Sequence, residues 1–191
     1  MANLLFFAGS AREHSFSKQL AKTAHKMVQD KGVNATFIDL RDYPMPLYDG
    51  DLEDAEGMPE NARVLKKMFA ESDGFFIATP EYNSGYPALL KNTIDLISRP
   101  GPDDADIADP YKGKTAAIAA ASPGGLGGMR VLVPLRMLLG NIGIHVVPNQ
   151  VSVNFASKAF NDDGSLANQN QLDLMNGALD QLISTTDALN S

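Results

Sequence analysis

Residues 9–18, GSAREHSFSK, follow the apolar run NLLFF and read as a strand-to-helix turn. Three hydroxyls, Ser10, Ser15 and Ser17, share this turn with one guanidinium, Arg12. A helix N-terminus presents unpaired backbone N–H groups and a partial positive charge. Serine adds donors on short side chains, and arginine adds a permanent cation with forked donor geometry. Together these suit a dianionic phosphate group. A plainer alternative makes Ser15 a helix cap, Ser10 part of the turn and Arg12 a surface charge. Capping explains one serine, but not three hydroxyls beside an arginine. No Gly-Lys-Ser/Thr follows, and only Gly9 is present, so neither a Walker A loop nor a G-x-G-x-x-G grip is encoded. A mononucleotide with one terminal phosphate fits the turn better.

Two further segments have loop chemistry. TPEYNSGYP (79–87) has a stiffening Pro80, then Asn83, Ser84 and Gly85, which let the backbone turn with its N–H groups exposed. Such backbone reads the carbonyl and ring-nitrogen edges of a flat heterocycle. Tyr82 either covers a ring or packs at the rim; Glu81 is either part of the site or one half of an ion pair. SPGGLGG (122–128) has four glycines in seven residues and allows close approach of backbone to a flat ligand. Alone it reads as a flexible turn; beside the other two loops, close approach becomes the better reading. Arg130 and Arg136 follow; Arg130 is a candidate partner for an acidic cosubstrate, and a surface ion pair is the default for either.

The elements that position these loops follow from hydrophobic patterning. Continuous apolar runs at 3–8, 34–40, 73–79, 114–121 and 144–147 predict five strands, the longer ones buried on both faces. Helical spacing predicts helices at 15–31, 59–71, 86–98, 128–142 and 168–188. Strands alternating with helices mean βαβ units: an α/β fold with a flavodoxin-like, doubly wound parallel sheet of order 2-1-3-4-5, helices on both faces, and one domain over 1–191. In such a sheet ligands sit at the carboxyl ends of the strands, at the switch in strand order, where the three loops converge. Residues 101–111 read as a solvated acidic connection. Pro134 conflicts with a regular fourth-crossover helix at a cost of about 3 kcal/mol, so the helix is expected to kink there or begin later.

The chain has 191 residues, 44% hydrophobic and 20% charged, with net charge −7. An acidic surface without a Lys/Arg cluster argues against nucleic acid. No apolar run is long enough to span a membrane, and the N-terminus is not a signal peptide. With no cysteine, thiol nucleophiles and iron–sulfur clusters are excluded, and a cytoplasmic protein is the simplest reading. His14, His25 and His145 lack metal-ligand spacing, so no metal site is expected.

GSAREHSFSKQLA, TPEYNSGYPALLKNTIDLISRP and SPGGLGGMRVLVPLRMLL, in that order, resemble the NAD(P)H-dependent FMN reductases. That flavodoxin-like group includes quinone, chromate and azo-dye reductases. The similarity covers about residues 3–150. It implies non-covalent FMN, its phosphate held by Ser10, Arg12, Ser15 and Ser17. Ser17 stands where the family more often has Asn, and it keeps a hydroxyl donor. The ring would rest on Pro80, Glu81, Tyr82, Asn83 and Ser84, with Ser122, Gly124 and Gly125 closing the other side. NAD(P)H would be the co-substrate and a quinone or similar small oxidant the acceptor, with no protein acid or base strictly required and hence no catalytic residue nominated. A homodimer or homotetramer is implied too. The rival is a flavodoxin-like electron carrier, which suits the acidic charge and makes no direct use of NAD(P)H. Arg12 in the phosphate loop and the absence of Trp speak against it.

Overall fold

The computed structural model describes residues 2–101 and 107–191. Its centre is a five-stranded parallel sheet built from β1 (Asn3–Ala8), β2 (Asn34–Phe37), β3 (Gly74–Thr79), β4 (Thr115–Ala121) and β5 (His145–Val153). The order is β2-β1-β3-β4-β5, with every pairing parallel. The three inner strands bury nearly every residue, as a sheet covered on both faces requires.

Alternate side chains feed two cores. Leu4, Phe6 and Ala8 of β1, with Phe76 and Ala78, pack under α1 (Phe16–Asp30) and α6 (Gln169–Leu189). Leu5, Phe7, Phe75 and Ile77 pack under α3 (Glu60–Ala70), α4 (Ala88–Ser98) and α5 (Met129–Asn141). Stacking of Phe6 on Phe76, centroids 5.4 Å apart, ties the two central strands. The alanine-rich β4, TAAIAAA, keeps side chains small beneath the third loop.

Three elements differ from the pattern-based expectation, and a fourth settles where the Pro134 helix begins. A short helix α2 (Gly50–Glu56) forms in the acidic stretch before α3. It buries none of its residues, so no apolar period announces it. Asp49 caps it, and Glu53 pairs with Arg99 at 2.9 Å. The second strand ends at Phe37, because Asp39 turns the chain into a 3₁₀ turn by accepting from the Arg41 amide. β5 runs to Val153 rather than 147, crossing Pro148 with a register shift opposite Ala116 and Ile118. Proline is tolerated there because β5 is an edge strand. Arg136 covers the irregular stretch, donating to the carbonyls of Val146, Val147 and Pro148 at 2.9–3.3 Å; it bonds carbonyls rather than an acidic partner. Finally, α5 begins at Met129 and contains Pro134, so a later start is ruled out.

Residues 102–106 of the acidic connection lie outside the described residues. Its end is not solvated: Tyr111 is 3% exposed and its hydroxyl donates to the Ile94 carbonyl at 2.9 Å. Burial, and then the negative charges of Asp95 and Asp109, push the Tyr111 pKa well above 10. The raised value favours the neutral phenol, so its contribution is complete below the unfolded pKa and is lost as pH rises past about 10. Urea titrations from about pH 8 to 11 should show stability falling above about pH 10. Tyr111→Phe should lack that part of the slope while losing about 1 kcal/mol at neutral pH; an unchanged slope would contradict this role.

Candidate functional site

β1, β3 and β4 end side by side, and the three suspect loops leave from their carboxyl ends. They enclose a cleft of about 130 Å3 lined by Ser10, Arg12, Ser15, Phe16, Ser17, Pro80, Glu81, Tyr82, Ala121, Ser122 and Pro123. Eight of these are residues singled out from sequence. Phe16, Ala121 and Pro123 were not, since a small or apolar residue carries no chemical signal of its own.

The first loop converges donors on one point. Ser15 is the N-cap of α1, accepting from the Lys18 amide at 3.4 Å. The helix ladder leaves the amides of Phe16 and Ser17 without an intrahelical acceptor. Ser10 is buried, and its Oγ accepts from the Arg12 amide at 3.3 Å, so its own proton is available. Ser17 Oγ is buried and has no hydrogen-bond partner. The other two such atoms among the described residues, on Thr93 and Gln171, are not in the cleft. Arg12 stands exposed at the rim with no ion pair to a described residue. An anion placed here would satisfy the Ser17 hydroxyl, the free amides and the guanidinium together. Beneath them Lys18 is 5% exposed and pairs with Asp39 at 2.7 Å, binding the first turn of α1 to the end of β2.

In the second loop Tyr82 and Gly85 exchange both backbone hydrogen bonds at 3.0 Å. Asn83 (φ 51°) and Ser84 (φ 66°) both adopt left-handed backbone, the signature of a type I′ turn. Ser84 bears a strained conformation that glycine would adopt freely. The two residues form the turn tip and are not among those lining the cleft. Tyr82 is 55% exposed at its edge.

Glu81 resolves to an ion pair within the fold. Its carboxylate is 7% exposed and accepts from Arg130 Nη2 at 2.6 Å and Nε at 2.7 Å. It also accepts from the backbone amides of Arg130 and Val131 at 3.1 and 3.3 Å. The N-cap of α5 is Gly128, which has no side chain to offer, so Glu81 caps this helix from 47 residues away in sequence. One carboxylate thereby fastens the second loop to the end of the third.

The third loop uses its glycines unequally. A Cβ on Gly127 would lie 2.5 Å from Ser152 Oγ and 2.7 Å from the Asn154 nitrogen; one on Gly128 would lie 2.9 Å from Ala120 Cβ. Both also have positive φ, so these two are required by packing against β4 and β5. Gly124 and Gly125 are exposed, with no contact closer than 3.5 Å from a Cβ, and lie outside the cleft lining. They leave its outer face bare. His14 and His145 are exposed, His25 lies 3.1 Å from the Ala35 carbonyl, and the described residues contain no metal-binding cluster.

A family model described as "NADPH-dependent FMN reductase" matches residues 2–158. A quinone reductase of Escherichia coli K12 is 33% identical over 173 residues, 90% of this chain and 88% of that protein. An NAD(P)H-dependent FMN reductase of Pseudomonas aeruginosa is 31% identical over 180 residues, 94% and 92% of the two chains. Among solved structures, a flavoenzyme NAD(P)H:(acceptor) oxidoreductase of Paracoccus denitrificans superposes with a TM-score of 0.82 at 27% identity, covering 98% of each chain.

Glu81→Ala should lower unfolding stability by about 2 kcal/mol, since it removes the acceptor of two amides at the α5 N-terminus together with the ion pair. Arg130→Ala should lower it by less, about 1 kcal/mol, because the amide bonds remain and Arg130 is itself exposed. Chemical denaturation of both variants checks this; equal losses would refute the capping role.

Proposed function

This chain belongs to the NADPH-dependent FMN reductase family, and from that premise we propose that the three-loop cleft is where its FMN is held. It is an FMN-dependent NAD(P)H oxidoreductase of the quinone reductase kind. The observation that carries the site assignment is the unpartnered, buried Ser17 Oγ among the free amides of the α1 N-terminus. Donor type, burial and the cation at Arg12 all fit a terminal phosphate dianion.

Ser10, Ser15, Ser17 and Arg12 are assigned to the phosphate. Pro80, Glu81, Tyr82, Asn83 and Ser84 are assigned to one side of the isoalloxazine ring, and Ser122, Gly124 and Gly125 to the other. Within that assignment Glu81 acts through its backbone, because its carboxylate is committed to α5. Asn83 and Ser84 act by shaping the turn.

When bound, FMN supplies acceptance of a hydride from NAD(P)H and its delivery to an oxidant. The protein's own task is binding and orientation. No histidine, lysine or cysteine lines the cleft, and the carboxylate that does, Glu81, is committed to α5; hydride transfer through the cofactor requires no protein acid or base. Backbone N–H groups of the second and third loops offer hydrogen bonds to the ring edge, which would favour its reduced, more electron-rich form. Small quinones are the acceptor class, by analogy with the quinone reductase relatives.

The working unit is a homodimer or homotetramer in the cytoplasm. Met129, Val133 and Met137, four residues apart on α5, are each half or more exposed, which supports apolar self-association.

Arg12→Ala should weaken FMN binding about 10-fold, and Ser17→Ala about 5-fold, with little change in stability. Fluorescence titration of apoprotein with FMN measures both. Unchanged affinity in both variants would remove the phosphate from this turn.

A further inference from the structure

We propose that Phe155 is the face against which the ring of the oxidising substrate packs. The inference rests on the cleft being the FMN site. Phe155 follows β5 and has left-handed backbone, φ 47°, a conformation in which an aromatic residue is an outlier. The residue is 58% exposed, so the fold gains little burial in return for the strain.

The backbone around it is nevertheless tightly held. Phe155 N donates to the Gly124 carbonyl at 3.3 Å, and Ala156 N donates to the Ser122 carbonyl at 3.0 Å. Asn154 Nδ2 donates to the Gly125 carbonyl at 3.3 Å. These bonds fasten Phe155 to the glycine loop, and its ring edge sits over the bare face of Gly125, where a Cβ would approach Cζ at 3.5 Å. The same loop lines the cleft through Ser122 and Pro123, while Tyr82 stands exposed on the opposing loop. Two exposed aromatics thus stand beside the loops that line the cleft, Tyr82 on the second and Phe155 packed against Gly125 of the third.

A strained residue with an exposed ring, locked to a cofactor loop, is placed for a visiting ligand rather than for the core. A flat, uncharged quinone matches an aromatic platform. Asn154 and Ser152, the polar neighbours along the chain, already bond the carbonyls of Gly125 and Leu126. Phe155 is therefore a specificity-determining contact for the acceptor.

Phe155→Gly removes the ring at a position whose backbone glycine adopts freely. For the FMN-loaded variant, KM for a benzoquinone should rise about 3- to 10-fold. KM for ferricyanide, which has no ring to pack, and KM for NADH should move less than about 2-fold. Phe155→Tyr should restore the quinone KM. Flavin content and oligomeric size should match the parent, and the melting temperature should hold or rise. A quinone KM within about 2-fold of the parent overturns the proposal. So does a loss of flavin, which would make the ring a cofactor contact, a smaller oligomer, which would make it a subunit contact, or a fall in melting temperature, which would make it a packing residue. A parent protein that takes up no FMN would instead defeat the site assignment beneath it.

Discussion

A hydroxyl removed from water and left without a partner costs about 1–3 kcal/mol, and folded chains rarely keep one without a use. Ser17 Oγ is such a group, and it sits where the first turn of α1 meets the cleft. The same turn offers donors: the first helix amides, the Ser10 hydroxyl and the exposed guanidinium of Arg12. Among the described residues no carboxylate turns in to satisfy them; Glu81, the carboxylate in the lining, is spent on α5. With a net charge of −7 the molecule as a whole repels anions. Binding a phosphate therefore depends on this local convergence of donors rather than on the global field.

The parallel sheet is what makes the convergence possible. Because β1, β3 and β4 are adjacent and point the same way, their loops must share one rim. The loops are then fixed to each other by specific bonds. Glu81 joins the second to the third, Ser152 and Asn154 hold the glycine loop to the end of β5, and Lys18 with Asp39 anchors the first beneath. Strain is present at Ser84 and Phe155, both on this rim. A stiff frame tolerates such strain, and a preformed cleft spends less binding energy on ordering itself.

Much of this was legible in the sequence because burial on both faces leaves unmistakable apolar runs, as in NLLFFA and GFFIAT. The three loops stood out by residue type, and the switch point brought them together. The misses have physical causes. α2 lacks any buried residue and is held by a cap and by Arg99, 46 positions from Glu53. β5 runs beyond the apolar stretch 144–147 because an edge strand accommodates Pro148 and Asn149, which carry no apolar signal. Glu81 could be read as an ion-paired residue, but not as the cap of a distant helix, since nothing local encodes a partner so far along the chain. Membership of the reductase family adds the chemistry that no side chain here supplies: a redox cofactor, for which the protein is a shaped, hydrogen-bonding holder.

The phosphate cradle is tested most directly by comparing the affinities of the apoprotein for FMN and for riboflavin, which differ only in that group. If the α1 turn holds the dianion, FMN binds at least about 100-fold more tightly, and the advantage shrinks as salt is raised. Equal affinity for the two flavins would contradict the account at its root.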